Sequence, residues 1–178
     1  MKVDSERQPI EARRSHEAEL ASLYSEYYDK IARYASVHIG NRTDAEDIAG
    51  EVFLKALESL GSYEKRGIPM QAWLFKIAHN LVVDYLRKMS KRKTVDIDSV
   101  IIESDKGPEA IAEVNIEVER VKKVMEQLTR DQREVLSLRF FGELTSRETA
   151  AIMGKSDGAV REMQRAATVK LRTLLVTD

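Results

Sequence analysis

Three carboxylates at helical spacing are the first residues in this sequence whose types could support chemistry. Asp44, Asp47 and Glu51 follow one another at steps of three and four residues, which places them on one face of a predicted helix. Carboxylates one turn apart could bind a divalent metal or act as general acid and base. No histidine or cysteine joins them at this spacing, and an exposed helix face would not tune them for catalysis. A solvated helix face is therefore the plainer interpretation.

A second helical face combines an aromatic ring, an amide and several cations. Beginning at Trp73, it continues along a predicted helix of residues 69–91 with Lys76, Asn80, Asp84, Arg87 and Lys91. An aromatic ring that stacks on an unpaired base contributes on the order of 1–3 kcal/mol, and cations neutralise phosphates. The alternative is that Trp73 is simply a core residue. The stretch 75–93, with 6 basic and 1 acidic residues, favours nucleic acid.

The segment TSRETAAIMGKSDGAVREMQR (145–165) has the spacing of a helix-turn-helix. Ala150 is small enough for two helices to approach closely, and Gly154 tolerates the positive φ of the turn. Val160 is a β-branched anchor for the second helix. A helical hairpin that only packs is the alternative.

The second helix of this motif is expected to present side chains suited to the major groove. Arginine can read guanine edges, a glutamate can accept a hydrogen bond from cytosine, and cations near the helix start can hold phosphates. The predicted contacts with duplex DNA come from Arg147, Lys155, Ser156, Arg161, Glu162 and Arg165.

Three predicted helices position the first two faces. Apolar residues recur at helical spacing from about His16 to His38, and Gly40 interrupts the pattern. Thr43 and Glu46 predict a capping box for the next helix, which ends at Gly61. Pro69 suits the first turn of the third helix. The predicted buried residues of the second helix are Ile48, Val52, Phe53, Ala56, Leu57 and Leu60.

The predicted fold is all-α, with two small helical domains joined by an acidic flexible linker. The expected divisions are a polar N-terminal tail at 1–17, a first domain at 18–93, a linker at 94–110 and a second domain at 111–178, which contains the helix-turn-helix. Residues 94–117 carry 7 acidic residues and 1 basic residue. In the second domain, capping boxes at Thr129 and Thr145 predict helix starts, and the first of these helices carries Val135, Leu136 and Phe140.

Composition narrows the class of protein further. The 178 residues include no cysteine, which excludes disulfides and thiolate zinc sites and fits a reducing cytoplasm. The polar N-terminus lacks the apolar core of a signal peptide, and no run approaches the length of a membrane span. A bacterial cytoplasmic protein without membrane insertion is expected. His16, His38 and His79 are too scattered in the sequence to predict a metal site or a pH switch.

Two further segments, DAEDIAGEVFLKAL (44–57) and QAWLFKIAHNLVVDYLRKMSKRK (71–93), carry a family resemblance. In this order, and followed by an acidic linker and the helix-turn-helix, the chain resembles the extracytoplasmic-function group of the sigma-70 family. The resemblance covers roughly residues 20–93 and 115–175. It implies a transcription initiation factor that binds core RNA polymerase through its β and β′ subunits and recognises promoter DNA.

The resemblance also implies roles for particular residues. The helix with Asp44, Asp47 and Glu51 would dock on a coiled coil of the β′ subunit, where an acidic stripe suits a basic partner. The loop 62–70 would capture a flipped base of the minus-10 element, with contacts from Tyr63, Lys65 and Arg66. The linker would pass through a polymerase channel and imitate a phosphate backbone.

Further expectations from the resemblance are an anti-sigma factor as a partner, no cofactor, no small-molecule substrate and no enzymatic activity. Two alternatives differ in class. One is a helix-turn-helix repressor or activator that binds duplex DNA without polymerase. The other is a metal-dependent phosphotransfer enzyme that uses the three carboxylates of the 43–60 helix.

Overall fold

The computed structural model describes residues 4–63, 68–95 and 123–177, with side chains described from residue 14 onward except at 62, 93–95 and 177. All regular secondary structure in these ranges is helical, which confirms the predicted fold class. The helices are α1 (Asp4–Ile39), α2 (Arg42–Ser59), α3 (Met70–Val95), α4 (Arg130–Phe140), α5 (Ser146–Met153) and α6 (Asp157–Thr177). None of the helices in the described ranges combines the length and the apolar character that a membrane crossing needs.

Helices α1, α2 and α3 pack around one core, as the apolar spacing predicted. Tyr34, Ile31, Val52, Leu74 and Phe75 are fully buried within it. A short 3₁₀ turn, Leu60–Ser62, follows α2 and brings Leu60 into the same core. These contacts fix α2 and α3 side by side, so the acidic face and the tryptophan face belong to one rigid unit.

Three details of the first domain differ from the sequence expectations. Helix α1 begins at Asp4 rather than near His16, because its first turns are mostly polar and show no apolar period that could have predicted them. Asn41, not Thr43, caps α2, with its side-chain oxygen accepting a hydrogen bond from the Asp44 N–H at 3.0 Å. Leu57 is 51% exposed and not part of the core.

The second domain forms around two small clusters of buried side chains. One comprises Met125, Leu128, Leu136 and Ala167, and the other comprises Val135, Ala150 and Val160. The capping boxes predicted at Thr129 and Thr145 are both present, with Gln132 and Glu148 as the reciprocal partners. Of the three apolar residues named for α4, Val135 and Leu136 are buried, whereas Phe140 is 68% exposed.

The two domains contact each other through α4 and the loop that follows it. Leu138 and Leu144 are fully buried and belong to the core cluster of the first domain. Phe141, Ile152 and Met153 pack against that cluster from the same side. The predicted acidic linker, residues 94–110, lies almost entirely outside the described residues.

Candidate nucleic-acid interface

Helices α5 and α6 form the predicted helix-turn-helix. Gly154 ends α5 at φ 62° and ψ 35°, the left-handed conformation that glycine adopts without a Cβ penalty. Ser156 Oγ accepts a hydrogen bond from the Ala159 N–H at 3.1 Å and so caps α6. Val160 is fully buried against Val135, which fixes the rotation of α6 about its axis. The same rotation turns the arginine face of α6 outward.

The exposed face of α6 is basic and is held by pairs within the helix. Arg165 Nη2 lies 2.5 Å from Glu162 Oε1, and the hydrogen bond and charge of Arg165 lower the pKa of the Glu162 carboxyl. Arg161 pairs in the same way with Asp157. A shallow groove of about 310 Å³ runs along this face, lined by Arg161, Gln164, Arg165, Thr168, Val169 and Arg172. Of these six residues, the sequence predicted only Arg161 and Arg165 as contacts with DNA.

The remaining predicted contacts of this domain flank the motif. Arg147 is exposed near the start of α5. Lys155, in the turn, forms an ion pair with Asp131 of α4 at 3.0 Å. Because this ion pair is largely exposed, it contributes little to stability. Lys155 therefore remains available to bind a phosphate.

A second groove, of about 400 Å³, lies between α2 and α3 beside Trp73. The α3 side is formed by Trp73, Ile77, Asn80, Leu81 and Asp84, and the α2 side by Lys55, Glu58 and Ser59. The indole is half-buried, and its ring centroid lies 4.8 Å from that of Tyr63. Trp73 therefore packs on the core and also borders the groove, so both interpretations of this residue hold in part. The three α2 residues were missed, because the pattern within one helix does not reveal which neighbour faces it.

Tyr63 packs against Trp73 and so supports one side of this groove. Its side chain is buried, its hydroxyl donates a hydrogen bond to the Ile68 carbonyl at 3.0 Å, and its ring makes an edge contact with His16 at 5.1 Å. Lys65 and Arg66 lie outside the described residues. The cations of α3 are exposed at Lys76, Arg87 and Lys91, as is the amide of Asn80, and Arg87 pairs with Asp84 at 3.0 Å.

The three carboxylates of the predicted acidic stripe on α2 differ in exposure. Asp44 is half-buried and accepts a hydrogen bond from the Tyr85 hydroxyl at 2.5 Å. Burial, together with this bond, raises the pKa of Tyr85 to about 12. Asp47 and Glu51 are exposed.

Two leucines that the sequence did not assign to a surface lie on the same helix as this acidic stripe. Leu54 and Leu57 are 63% and 51% exposed. The open surface of α2 is therefore both acidic and apolar, a composition suited to a protein partner. Among the residues that the structure describes, no cluster of three or more histidine, cysteine, aspartate or glutamate side chains is arranged to hold a metal ion.

Two of the histidines that are scattered in the sequence meet in the fold. His38 of α1 and His79 of α3 both contact Glu134 of α4, at 3.2 Å and 2.9 Å. The sequence, in which the histidines are too scattered to predict a metal site or a pH switch, did not predict this contact. Glu134 is 55 residues from His79 and 96 residues from His38 along the chain, so no local pattern in the sequence could reveal their contact.

Comparison with known proteins places these features in one family. Residues 23–92 match Sigma-70 region 2, and residues 124–173 match Sigma-70, region 4. The chain is 33% identical over 158 residues to the ECF RNA polymerase sigma factor BldN of Streptomyces coelicolor, covering 88% of this chain and 60% of that relative's length. It is also 33% identical over 152 residues to the ECF RNA polymerase sigma factor SigD of Mycobacterium tuberculosis, covering 82% of this chain and 72% of that protein.

A solved structure agrees with these sequence relatives. The sigma factor RpoE of Bartonella quintana, crystallised with the anti-sigma factor NepR, superposes with a TM-score of 0.73 at 26% identity, over 90% of this chain and 98% of that one. Both halves of the chain, the paired first-domain segments and the helix-turn-helix, are thus accounted for by one group of proteins. The chain belongs to the ECF group of the sigma-70 family of RNA polymerase sigma factors.

Proposed function

We propose that the chain is a promoter-specificity factor that recruits core RNA polymerase and helps to open the minus-10 element. Residues 18–93 would form the domain that binds polymerase and the minus-10 element, and 111–178 the domain that reads the minus-35 element, with 94–110 as the linker. The observation that carries the proposal is the groove beside Trp73, which combines a half-buried indole with the exposed amide and cations of α3.

The groove suits an unstacked base better than a duplex. An indole that is already held against Tyr63 loses little rotational freedom when a base stacks on it, while Asn80 offers both a hydrogen-bond donor and an acceptor. The neighbouring cations, Lys76 and Lys91, would neutralise the phosphates of the separated strand. Strand opening then follows from preferential binding to the single strand and needs no catalytic group in this chain.

Helix α6 would read the minus-35 element in the major groove. Arg161 and Arg165 would exchange their intrahelical carboxylate partners for guanine edges or phosphates on binding. Release of Glu162 from Arg165 would make its carboxylate available to a cytosine amine. Ser156, at the helix start, and Arg147 and Lys155 would fix the phosphate backbone.

The open face of α2 would dock on polymerase. Asp47 and Glu51 would steer a basic partner, and the exposed Leu54 and Leu57 would supply apolar area. We further propose that the protein acts in the bacterial cytoplasm without a cofactor and is held inactive by an anti-sigma factor, as the relative from Bartonella quintana is bound by one. A repressor that acts without polymerase is not favoured, because regions 2 and 4 of the sigma-70 family both match.

The test is run-off transcription by core polymerase from a promoter library, with and without the chain. We expect discrete transcripts only when the chain is present. The double variant Asp47→Asn, Glu51→Gln should reduce association with core polymerase while leaving duplex binding by the second domain unchanged. Glu126→Gln, which removes an exposed carboxylate from the second domain, is the matched control. Failure of the wild-type chain to bind core polymerase would refute the proposal.

A further inference from the structure

The N-terminal part of α1 contacts the loop that leads to Trp73. Residues 1–17 were expected to form a polar tail, but His16 lies within α1, one helical turn before the buried Leu20. The imidazole of His16 is half-buried and meets the Tyr63 ring edge-on, with 5.1 Å between the ring centroids and 81° between the ring planes. This part of the expected tail therefore belongs to the folded first domain.

Tyr63 is held at a second point, by the other end of the same loop. Its hydroxyl donates a hydrogen bond to the Ile68 carbonyl at 3.0 Å, which joins the two ends of the loop. Because the next residue is Pro69, the backbone of Ile68 is restricted to extended conformations, which limits the direction of that carbonyl. The Pro69 carbonyl in turn accepts a hydrogen bond from the Trp73 N–H at 3.2 Å. Tyr63 is therefore tied to the turn of α3 from which the indole projects.

Tyr63 reaches the groove between α2 and α3 through Trp73. It is 7% exposed, and its ring packs on the indole with 4.8 Å between the ring centroids. The described residues that line the groove include Trp73 but not Tyr63. A base in the groove would touch the indole, whereas Tyr63 would act on that base only through the orientation of Trp73.

We propose that His16 is a positioning residue of the minus-10 site, which holds Tyr63 and through it keeps the Trp73 indole oriented to stack on an unpaired base. The inference rests on the proposed function and extends it to a residue before the segment that matches Sigma-70 region 2, which begins at residue 23. Edge-to-face rings restrain each other, because the positive edge of one meets the negative face of the other. A restrained indole loses less rotational freedom when a base stacks on it, so the single strand binds more tightly.

The free chain is tested first, by the time-resolved fluorescence anisotropy of its tryptophan. The sequence contains one tryptophan, so indole fluorescence reports on Trp73 alone. In the wild type, we expect the indole to follow the tumbling of the whole protein, with little independent motion on the picosecond to nanosecond scale. His16→Ala should add a fast component to the anisotropy decay. His16→Phe, which again places an aromatic edge against Tyr63, should restore the decay of the wild type.

The second measurement is the affinity of the complex with core polymerase for DNA. The probe is a labelled single strand that carries the minus-10 element of a promoter found by run-off transcription. His16→Ala should weaken this binding roughly 2- to 10-fold, the equivalent of the freedom lost by one side chain on binding, and His16→Phe should restore it. Association with core polymerase should not change, because His16 lies on α1 and the proposed docking face lies on α2.

A control on the same helix separates positioning from a general loosening of α1. Tyr24→Ala removes a 49% exposed ring that contacts Phe53, and it should change neither the anisotropy decay nor the affinity for the single strand. An equal change in this control, or an unchanged decay in His16→Ala, would overturn the inference. So would an altered decay without a loss of affinity, or a His16→Phe chain that behaves like His16→Ala. Failure of the wild type to bind core polymerase would instead refute the proposed function, while the anisotropy decay would still decide whether His16 holds the indole.

Discussion

Mild acid is expected to destabilise the folded protein through His38. Burial lowers the pKa of this histidine from 6.5 to about 4, against the attraction of Glu134, and the charges of Arg133 and Arg130 lower it further. His79 and the Tyr34 hydroxyl also face the same carboxylate. His38 is therefore neutral in the folded protein above about pH 4 and takes up a proton more readily in the unfolded chain.

The sign and size of the effect follow from this shift. Because the pKa is lower in the folded state, the full stability is present above about pH 6.5 and is lost as the pH falls toward about 4. The difference between the two pKa values corresponds to about 3 kcal/mol, of which about 2 kcal/mol is lost by about pH 5. The pKa of Glu134 is also lowered, by its hydrogen bond to His79 against the cost of burial, so its contribution disappears only below about pH 4.5. A change in stability between about pH 5 and pH 7.5 thus reports on His38 and not on the Glu134 carboxylate.

Urea denaturation at the two ends of this range measures the effect directly. The wild type should lose about 2 kcal/mol of unfolding free energy, and His38→Gln, which cannot be protonated there, should lose much less. His16→Gln is the control and should keep the dependence of the wild type. A proton resonance of His38 that titrates near 6.5, or a His38→Gln protein with unchanged pH dependence, would show the reasoning to be wrong.

Substitutions at four other positions test the candidate nucleic-acid interface and the helices that support it. Trp73→Ala should weaken binding of the polymerase complex to a single-stranded minus-10 oligonucleotide roughly 5- to 100-fold, the equivalent of one stacking contact. Trp73→Phe should retain most of this binding, and neither variant should change binding to duplex minus-35 DNA. Gly154→Ala should lower the free energy of unfolding by about 1–2 kcal/mol because of its positive φ. Gly158→Ala, in open space within α6, should leave stability unchanged or raise it by up to about 1 kcal/mol in the same urea titration. Thr145→Ala should cost about 1 kcal/mol through loss of the capping box, again measured by denaturation.

Local patterns in the sequence were sufficient to locate most of the helices and the helix-turn-helix. The capping boxes at Thr129 and Thr145, the positive φ of Gly154 and the buried Val160 depend on residues within one turn or one hairpin of each other. Such interactions are encoded by spacing, so they can be predicted without a fold. The family resemblance likewise depends on short segments, residues 44–57 and 71–93, and the matches to the two family models confirm it.

The wrong predictions of burial and capping within single helices have a different cause. The apolar period places Leu57 and Phe140 close to a buried face, but whether they are covered depends on the neighbouring helix. Asn41 and Thr43 are both residue types that cap helices, and only the backbone entry angle decides between them. Packing therefore determined which side chains remain on the surface of α2 and α4.

The sequence alone determined most of the helical segments, the position of the helix-turn-helix and the family to which the chain belongs. Only the tertiary structure decided that Lys55, Glu58 and Ser59 share a groove with Trp73, and that His38 and His79 meet at Glu134. Contacts between residues far apart in the chain leave no periodic trace in either segment. They arise when the apolar faces of separate helices are buried together, which brings polar neighbours into contact that no local pattern specifies.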